Sequence, residues 1–205
     1  MNYLEFRKQF IDLVCFNTRQ VYAWQAGFDK NNLTRWQKKD LLIKLRQGFY
    51  TFPEYIGKQN FAFYFANKMY QPSYISLHTA LSYYGIIPEA VIQIMSVCTL
   101  KTATFNNAFG TYVYKTIKND LFFGYNLISM DAMRTYNIAK PEKAILDLLY
   151  LYNFYNTEQE IVELRLDEGF LAHNLNIPLF QEYASLFKNK SLESRVKKLI
   201  KIYEL

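Results

Sequence analysis

Residues 31–52 read NNLTRWQKKDLLIKLRQGFYTF, and two periodicities meet within them. In 31–39, Leu33 and Trp36 stand three apart and share one side of a helix, while Arg35, Lys38 and Lys39 gather on another. After Asp40 the pattern changes. LLIKL (41–45) and FYTF (49–52) are strand-like and flank Arg46-Gln47-Gly48, where the glycine suits a turn position of positive φ. A helix followed by a β-hairpin is therefore predicted. Working back, Tyr3 to about Leu13 forms an amphipathic helix through Leu4, Phe6, Phe10 and Leu13. Asn17 and Thr18 offer N-cap side chains to a second short helix, RQVYAWQ, which Gly27 breaks. Asp29 to Asn32 starts the third. Three helices and then a hairpin is the order of a winged helix-turn-helix. Pro53 closes the unit, and Pro53 to Lys58 reads as a linker.

Charge points the same way. Residues 1–57 hold nine Lys/Arg against five Asp/Glu, residues 58–187 nine against eleven, and residues 188–205 six against two. Positive charge at both ends of a slightly acidic middle is the footprint of a protein that meets a polyanion. Between Arg19 and Tyr50 stand seven basic residues and two acidic ones. A recognition helix needs an apolar stripe for anchoring and a polar stripe free to enter the major groove. The candidate DNA-binding residues are Arg19, Lys30, Asn31, Asn32, Thr34, Arg35, Lys38, Lys39, Lys44 and Arg46. Asn31, Asn32, Thr34 and, beside them, Gln37 can read base edges; the cations can read guanine or neutralise phosphate. Lys44 and Arg46 are expected at the tip of the wing.

Residues 58–205 read as a second, mixed α/β unit, so the fold class is α+β. A helix is predicted over 60–70 and another from Pro72-Ser73 to Tyr84, stopped by Gly85. Strands follow between Val91 and Ile117, with Asn106-Asn107 as the turn, and continue through 121–130 and 133–139. Pro141 opens an apolar helix, PEKAILDLLYLY. Helices at about 157–166, 178–187 and 191–203 complete the chain. In the last, Lys197, Lys198 and Lys201 share one face, opposite Val196, Leu199, Ile200 and Tyr203.

Catalytic signals are thin, and the expectation is no enzyme and no cofactor. The two histidines, His78 and His173, have no metal-ligand spacing, and no phosphate-cradling glycine motif occurs. Glu142, Lys143 and Asp147 could be imagined as a metal-dependent nuclease site. Their spacing is simpler as a dipole-compensating Glu and an i,i+4 ion pair on the helix. A protein-interaction module without sequence-specific DNA binding is the other alternative. The 18 Tyr, 17 Phe and 2 Trp read as core rather than as base-stacking platforms. No apolar run reaches the roughly 18 residues of a membrane span, and the N-terminus lacks the apolar region of a secretory signal. Cys15 and Cys98, both in apolar surroundings, are expected as buried thiols of a cytoplasmic protein.

The stretches PSYISLHTALSYYGIIPEAV (72–91), SVCTLKTATFNNAFGTYVYKTI (96–117), LFFGY (121–125) and IAKPEKAILDLLYL (138–151) resemble the AbiEi-like antitoxins of type IV toxin–antitoxin systems. KLRQGFYTF (44–52) resembles that family's wing, with Gln47 where a second basic residue is common. The resemblance implies an N-terminal winged helix-turn-helix (1–57) and a C-terminal antitoxin domain (58–205). It also implies autorepression at an inverted repeat in double-stranded DNA, bound by two copies. The functional partner it implies is a nucleotidyltransferase-like toxin. The basic tail, Lys188 to Lys201, would be a second surface for DNA or a partner.

Overall fold

The computed structural model describes residues 2–58 and 60–205, a mixed α+β structure with two sheets. The N-terminal elements are α1 (Tyr3–Phe10), β1 (Cys15–Asn17), α2 (Thr18–Trp24), α3 (Asn31–Lys38), β2 (Ile43–Arg46) and β3 (Phe49–Thr51). The helices match the sequence reading to within a few residues. Strand β1 is additional. It pairs antiparallel with β3, whose other side holds β2, giving the order β1-β3-β2. The anticipated Asn17 cap is present at α2. Asn17 and Gln20 form a reciprocal capping box at α2, which satisfies two otherwise orphaned amides. Asp29 Oδ1 accepts from the Asn31 amide at 2.9 Å ahead of α3. Gly48 turns the hairpin with φ +74°. The N-terminal core is an aromatic cluster: Phe6, Phe10, Phe16, Phe28, Trp36, Tyr50 and Phe52 are all buried. Phe6 lies at its centre, 4.6 Å from Trp36 and 4.7 Å from Phe10 between ring centroids.

The following elements are α4 (Phe61–Met69), β4 (Ser73–Ile75), α5 (Leu77–Tyr83), β5 (Ile94–Cys98), β6 (Ala103–Asn107), β7 (Gly110–Thr116), β8 (Tyr125–Ser129) and β9 (Thr135–Ala139). The chain ends in α6 (Pro141–Leu151), α7 (Glu158–Val162), α8 (Glu168–Asn174), α9 (Ile177–Leu186) and α10 (Lys190–Ile202). The strands form one mixed sheet ordered β6-β7-β5-β4-β9-β8, parallel at β5/β7 and β4/β9 and antiparallel elsewhere. Three expectations are corrected here. Ser73 to Ile75, expected to start a helix, is a fully buried central strand. The turn after β6 falls at Ala108-Phe109 rather than Asn106-Asn107, where Asn107 Oδ1 accepts from the Phe109 amide at 2.8 Å. Helix α8 has no counterpart in the sequence reading.

Helix α6 is the axis of the second core. Every residue from Glu142 to Leu149 is buried, and α5, α9 and α10 pack around it. The pairing of Lys143 with Asp147 is as the spacing suggests. Both side chains are wholly buried. Asp147 Oδ2 also accepts from the Tyr74 hydroxyl at 2.9 Å and the Ser76 hydroxyl at 2.8 Å. The Lys143 ammonium donates to Tyr74 at 2.9 Å and sits about 5 Å from the ring centres of Phe123 and Phe187. Burial pushes the carboxyl pKa up and the ammonium pKa down, while each partner opposes the shift of the other.

The two sheets meet edge on. Leu45 of β2 is buried in the second core together with Val14 and Cys15, and β2 lies against β6. Asn107 donates from Nδ2 to the Leu45 carbonyl at 3.0 Å, and Arg134 donates to the Asp12 carbonyl. Both cysteines are buried free thiols. No helix among the described residues is long and apolar enough to cross a membrane.

Candidate nucleic-acid interface

Helix α3 divides as its sequence requires. Leu33 and Trp36 are buried against the aromatic cluster, while Asn31, Thr34, Arg35, Lys38 and Lys39 are exposed and Asn32 is half-buried. Gln37 donates from Nε2 to the Leu33 carbonyl at 3.0 Å, one turn back on its own helix. The exposed cations are not equivalent. Arg35 donates to Asp29 Oδ2 at 3.0 Å, with both side chains about half exposed or more. Such a pair is weak in water and readily exchanged for a phosphate. Lys38 and Lys39 make no ion pair among the described residues.

Facing this helix across a groove of about 480 Å³ is the hairpin. Lys30, Thr34 and Gln37 line one wall; Lys44, Gln47 and the edge of Tyr50 line the other, with Thr18 at the floor. The hairpin is held rigidly beside α2, because the Thr18 amide donates to the Gly48 carbonyl at 3.0 Å. The groove therefore brings together Lys30, Thr34, Gln37 and Lys44 from the sequence reading and adds Thr18 and Gln47 to them. The signal for the last two is their position beside the turn, not their charge.

Two predicted placements are corrected. Neither Lys44 nor the Arg46 side chain is at the tip of the hairpin: Lys44 pairs with Tyr50 inside the ladder, and Arg46, although next to the turn, is captured elsewhere. Its guanidinium turns away from α3 and lies over the rings of Phe49, Tyr70 and Phe105, at 5.0, 5.6 and 5.3 Å from their centroids. Cation–π contact with three rings, two of them from residues beyond β3, holds it between the sheets. Alternation along β2 explains this, since Lys44 and Arg46 flank Leu45 but a register irregularity re-aims Arg46. Arg19 is exposed but lies on the same far side of the turn as Arg46.

The basic tail is also less free than its sequence suggests. Lys201 pairs with Glu158 at 2.8 Å, Lys198 donates to the Asn156 carbonyl at 2.5 Å, and Arg195 is buried with its guanidinium on the Leu149 carbonyl and Ser191. Lys197 alone of its basic face stays exposed without such a partner among the described residues. These contacts bind α10 to α6 and α7.

Nor does the imagined nuclease constellation assemble. Glu142 Oε1 accepts from the Asn176 amide at 2.9 Å, one turn from the point where Asp147 is engaged by Lys143, Tyr74 and Ser76. The two carboxylates serve different contacts and do not converge on a shared site. No group of three metal-ligating side chains occurs among the described residues. His78, half-buried and 3.5 Å from the Tyr155 hydroxyl, has its pKa lowered by burial.

In comparison with known proteins, the chain matches no family model and no curated protein.

Proposed function

We propose that the chain is a DNA-binding transcriptional regulator that reads double-stranded DNA with α3 and the facing hairpin. The observation that carries this reading is the division of α3: a buried Leu33–Trp36 anchor and an exposed face of Asn31, Thr34, Arg35, Lys38 and Lys39. Base-reading and phosphate-neutralising groups share that face. The element order α1-β1-α2-α3-β2-β3 with a β1-β3-β2 sheet supports treating residues 1–57 as a winged helix-turn-helix, with α3 as recognition helix and Lys44 on the wing.

The resemblance to AbiEi-like antitoxins extends the proposal to a cytoplasmic antitoxin that represses its own operon at an inverted repeat. Two copies would then bind the repeat, and residues 58–205 would counteract a nucleotidyltransferase-like toxin.

The test is fluorescence anisotropy with a labelled duplex carrying the region upstream of the chain's own reading frame. Lys38→Glu with Lys39→Glu is the better probe, because neither lysine is tied to a neighbour as Arg35 is. Affinity should fall at least about tenfold, and the slope of log K against log salt should flatten by about two, one for each phosphate no longer neutralised. Binding by the double variant equal to wild type would overturn the assignment of α3. For the antitoxin role, co-expression should relieve growth arrest caused by a nucleotidyltransferase-like toxin encoded beside it, and unrelieved arrest would refute that role.

A further inference from the structure

On the far side of the Gln47-Gly48 turn, between the hairpin and α4, lies a second cleft of about 360 Å³. Three cations line it: Arg19 from α2, Arg46 from β2 and Lys68 from α4, with Asn17, Gln47 and Gln71 beside them. No Asp or Glu lines it, and none of the three cations takes part in an ion pair among the described residues.

Arg46 makes this more than a basic surface. Its guanidinium is immobilised by three rings, which satisfy its faces but none of its N–H donors. Its Nε is buried without a hydrogen-bond partner. That nitrogen is sealed from solvent, so the donors available to the cleft are the terminal nitrogens, which make no hydrogen bond among the described residues, and a planar guanidinium fixed in orientation matches the oxygens of a phosphate. Lys68 lies 5.3 Å from the Tyr64 ring centre, so it too is held by an aromatic face rather than an acid.

We propose that this cleft binds a phosphate group, with Arg46 as the fixed donor and Arg19 and Lys68 closing on it from the two units. The phosphate comes either from the backbone of a bound nucleic acid or from a small phosphorylated ligand. The site opens on the other side of the turn from the α3 groove, with which it shares Thr18, Gln47 and Gly48, and does not depend on the reading of α3.

Inorganic pyrophosphate is the probe, titrated into the full-length protein at constant ionic strength by calorimetry and by thermal melting. Wild type should bind and melt higher, with chloride at equal ionic strength giving no effect. Arg19→Gln, at an exposed position, should weaken binding about tenfold without lowering the melting temperature in the absence of ligand, and Lys68→Gln, at a half-buried position, should weaken binding to the same extent. Arg46→Lys, which keeps the charge but loses the planar fork, should weaken it further. Two arms identify the source. If a 20-base-pair duplex displaces pyrophosphate, and Lys38→Glu with Lys39→Glu prevents that displacement, the phosphate belongs to DNA held by α3. If pyrophosphate binds undisturbed by duplex, the cleft takes a small ligand. No binding to wild type, or binding unchanged in Lys68→Gln and Arg19→Gln, overturns the proposal whatever α3 does.

Discussion

Replacing Lys143 by Met tests how the second core is held together. Met keeps the unbranched stem that packs between Phe123 and Phe187, so the change removes the charge and little volume. Asp147, 0% exposed, then keeps the Tyr74 and Ser76 donors but loses its counter-charge. Breaking a buried pair from one side costs about 3–5 kcal/mol, which in a chain of this size lowers Tm by about 10 °C. The loss should depend on pH in a set direction. Without Lys143 nothing cationic opposes the burial that already raises the Asp147 pKa. The folded variant therefore retains a proton that the unfolded chain has released. Its stability is greatest below the ordinary carboxylate range and falls as pH rises through the raised value, by up to about 1.4 kcal/mol per unit. Urea unfolding followed by circular dichroism at pH 5 and pH 8 measures both effects. Adding Asp147→Leu should recover part of the loss, the remainder being about 1–3 kcal/mol for the stranded Tyr74 and Ser76 hydroxyls. A single variant within about 1 kcal/mol of wild type at pH 8, or a loss identical at pH 5 and pH 8, would refute the reasoning.

Gly124→Ala should destabilise by about 2–4 kcal/mol in the same denaturation assay, because φ there is +72° and a Cβ would lie 2.8 Å from Cε2 of Tyr183 and 3.1 Å from Cγ of Lys143. Trp36→Ala should cost about 3–5 kcal/mol. The loss should be confined to the N-terminal aromatic core, so hydrogen exchange should accelerate in α1 to β3 while β4 to β9 stay protected. Burial pushes the Cys15 thiol up to about 12, and Cys98 is raised by burial too. Neither should react with a disulfide reagent at pH 8 in the native protein, and both should react once it is unfolded; prompt native labelling of Cys15 would contradict its placement.

The elements legible in the sequence are those whose determinants are local. Leu33 and Trp36 fix the buried side of α3 by spacing alone, Gly48 marks its turn, and Pro141 opens α6 at a position where no amide is needed. What is not legible depends on partners far along the chain. Strand β1 exists only because Cys15, Phe16 and Asn17 meet Thr51, Tyr50 and Phe49, and three residues show no period of their own. Ser73 to Ile75 is buried on both sides of a sheet, so it lacks the alternation that identifies a half-exposed strand. The spacing of Lys143 and Asp147 reveals their pairing but not their burial, since Tyr74, Ser76 and the surrounding rings come from elsewhere. Arg46 is misplaced for the same reason: two of the three rings that capture it, Tyr70 and Phe105, lie outside the hairpin. The exposed face of α3 is legible; the second cleft, assembled from α2, β2 and α4, is not.

The edge-on meeting of β2 and β6 has a consequence for how this chain can change over time. Each is the outermost strand of its sheet, and an outermost strand left open recruits other chains. Here each half shields the vulnerable flank of the other, and Leu45, Val14 and Cys15 fill the seam. Substitutions on the exposed face of α3, which packs against neither strand, leave that seam undisturbed. Substitutions along β2 and β6 must instead be matched across it. The two halves are thus bound to a shared history at the hairpin even where their tasks diverge.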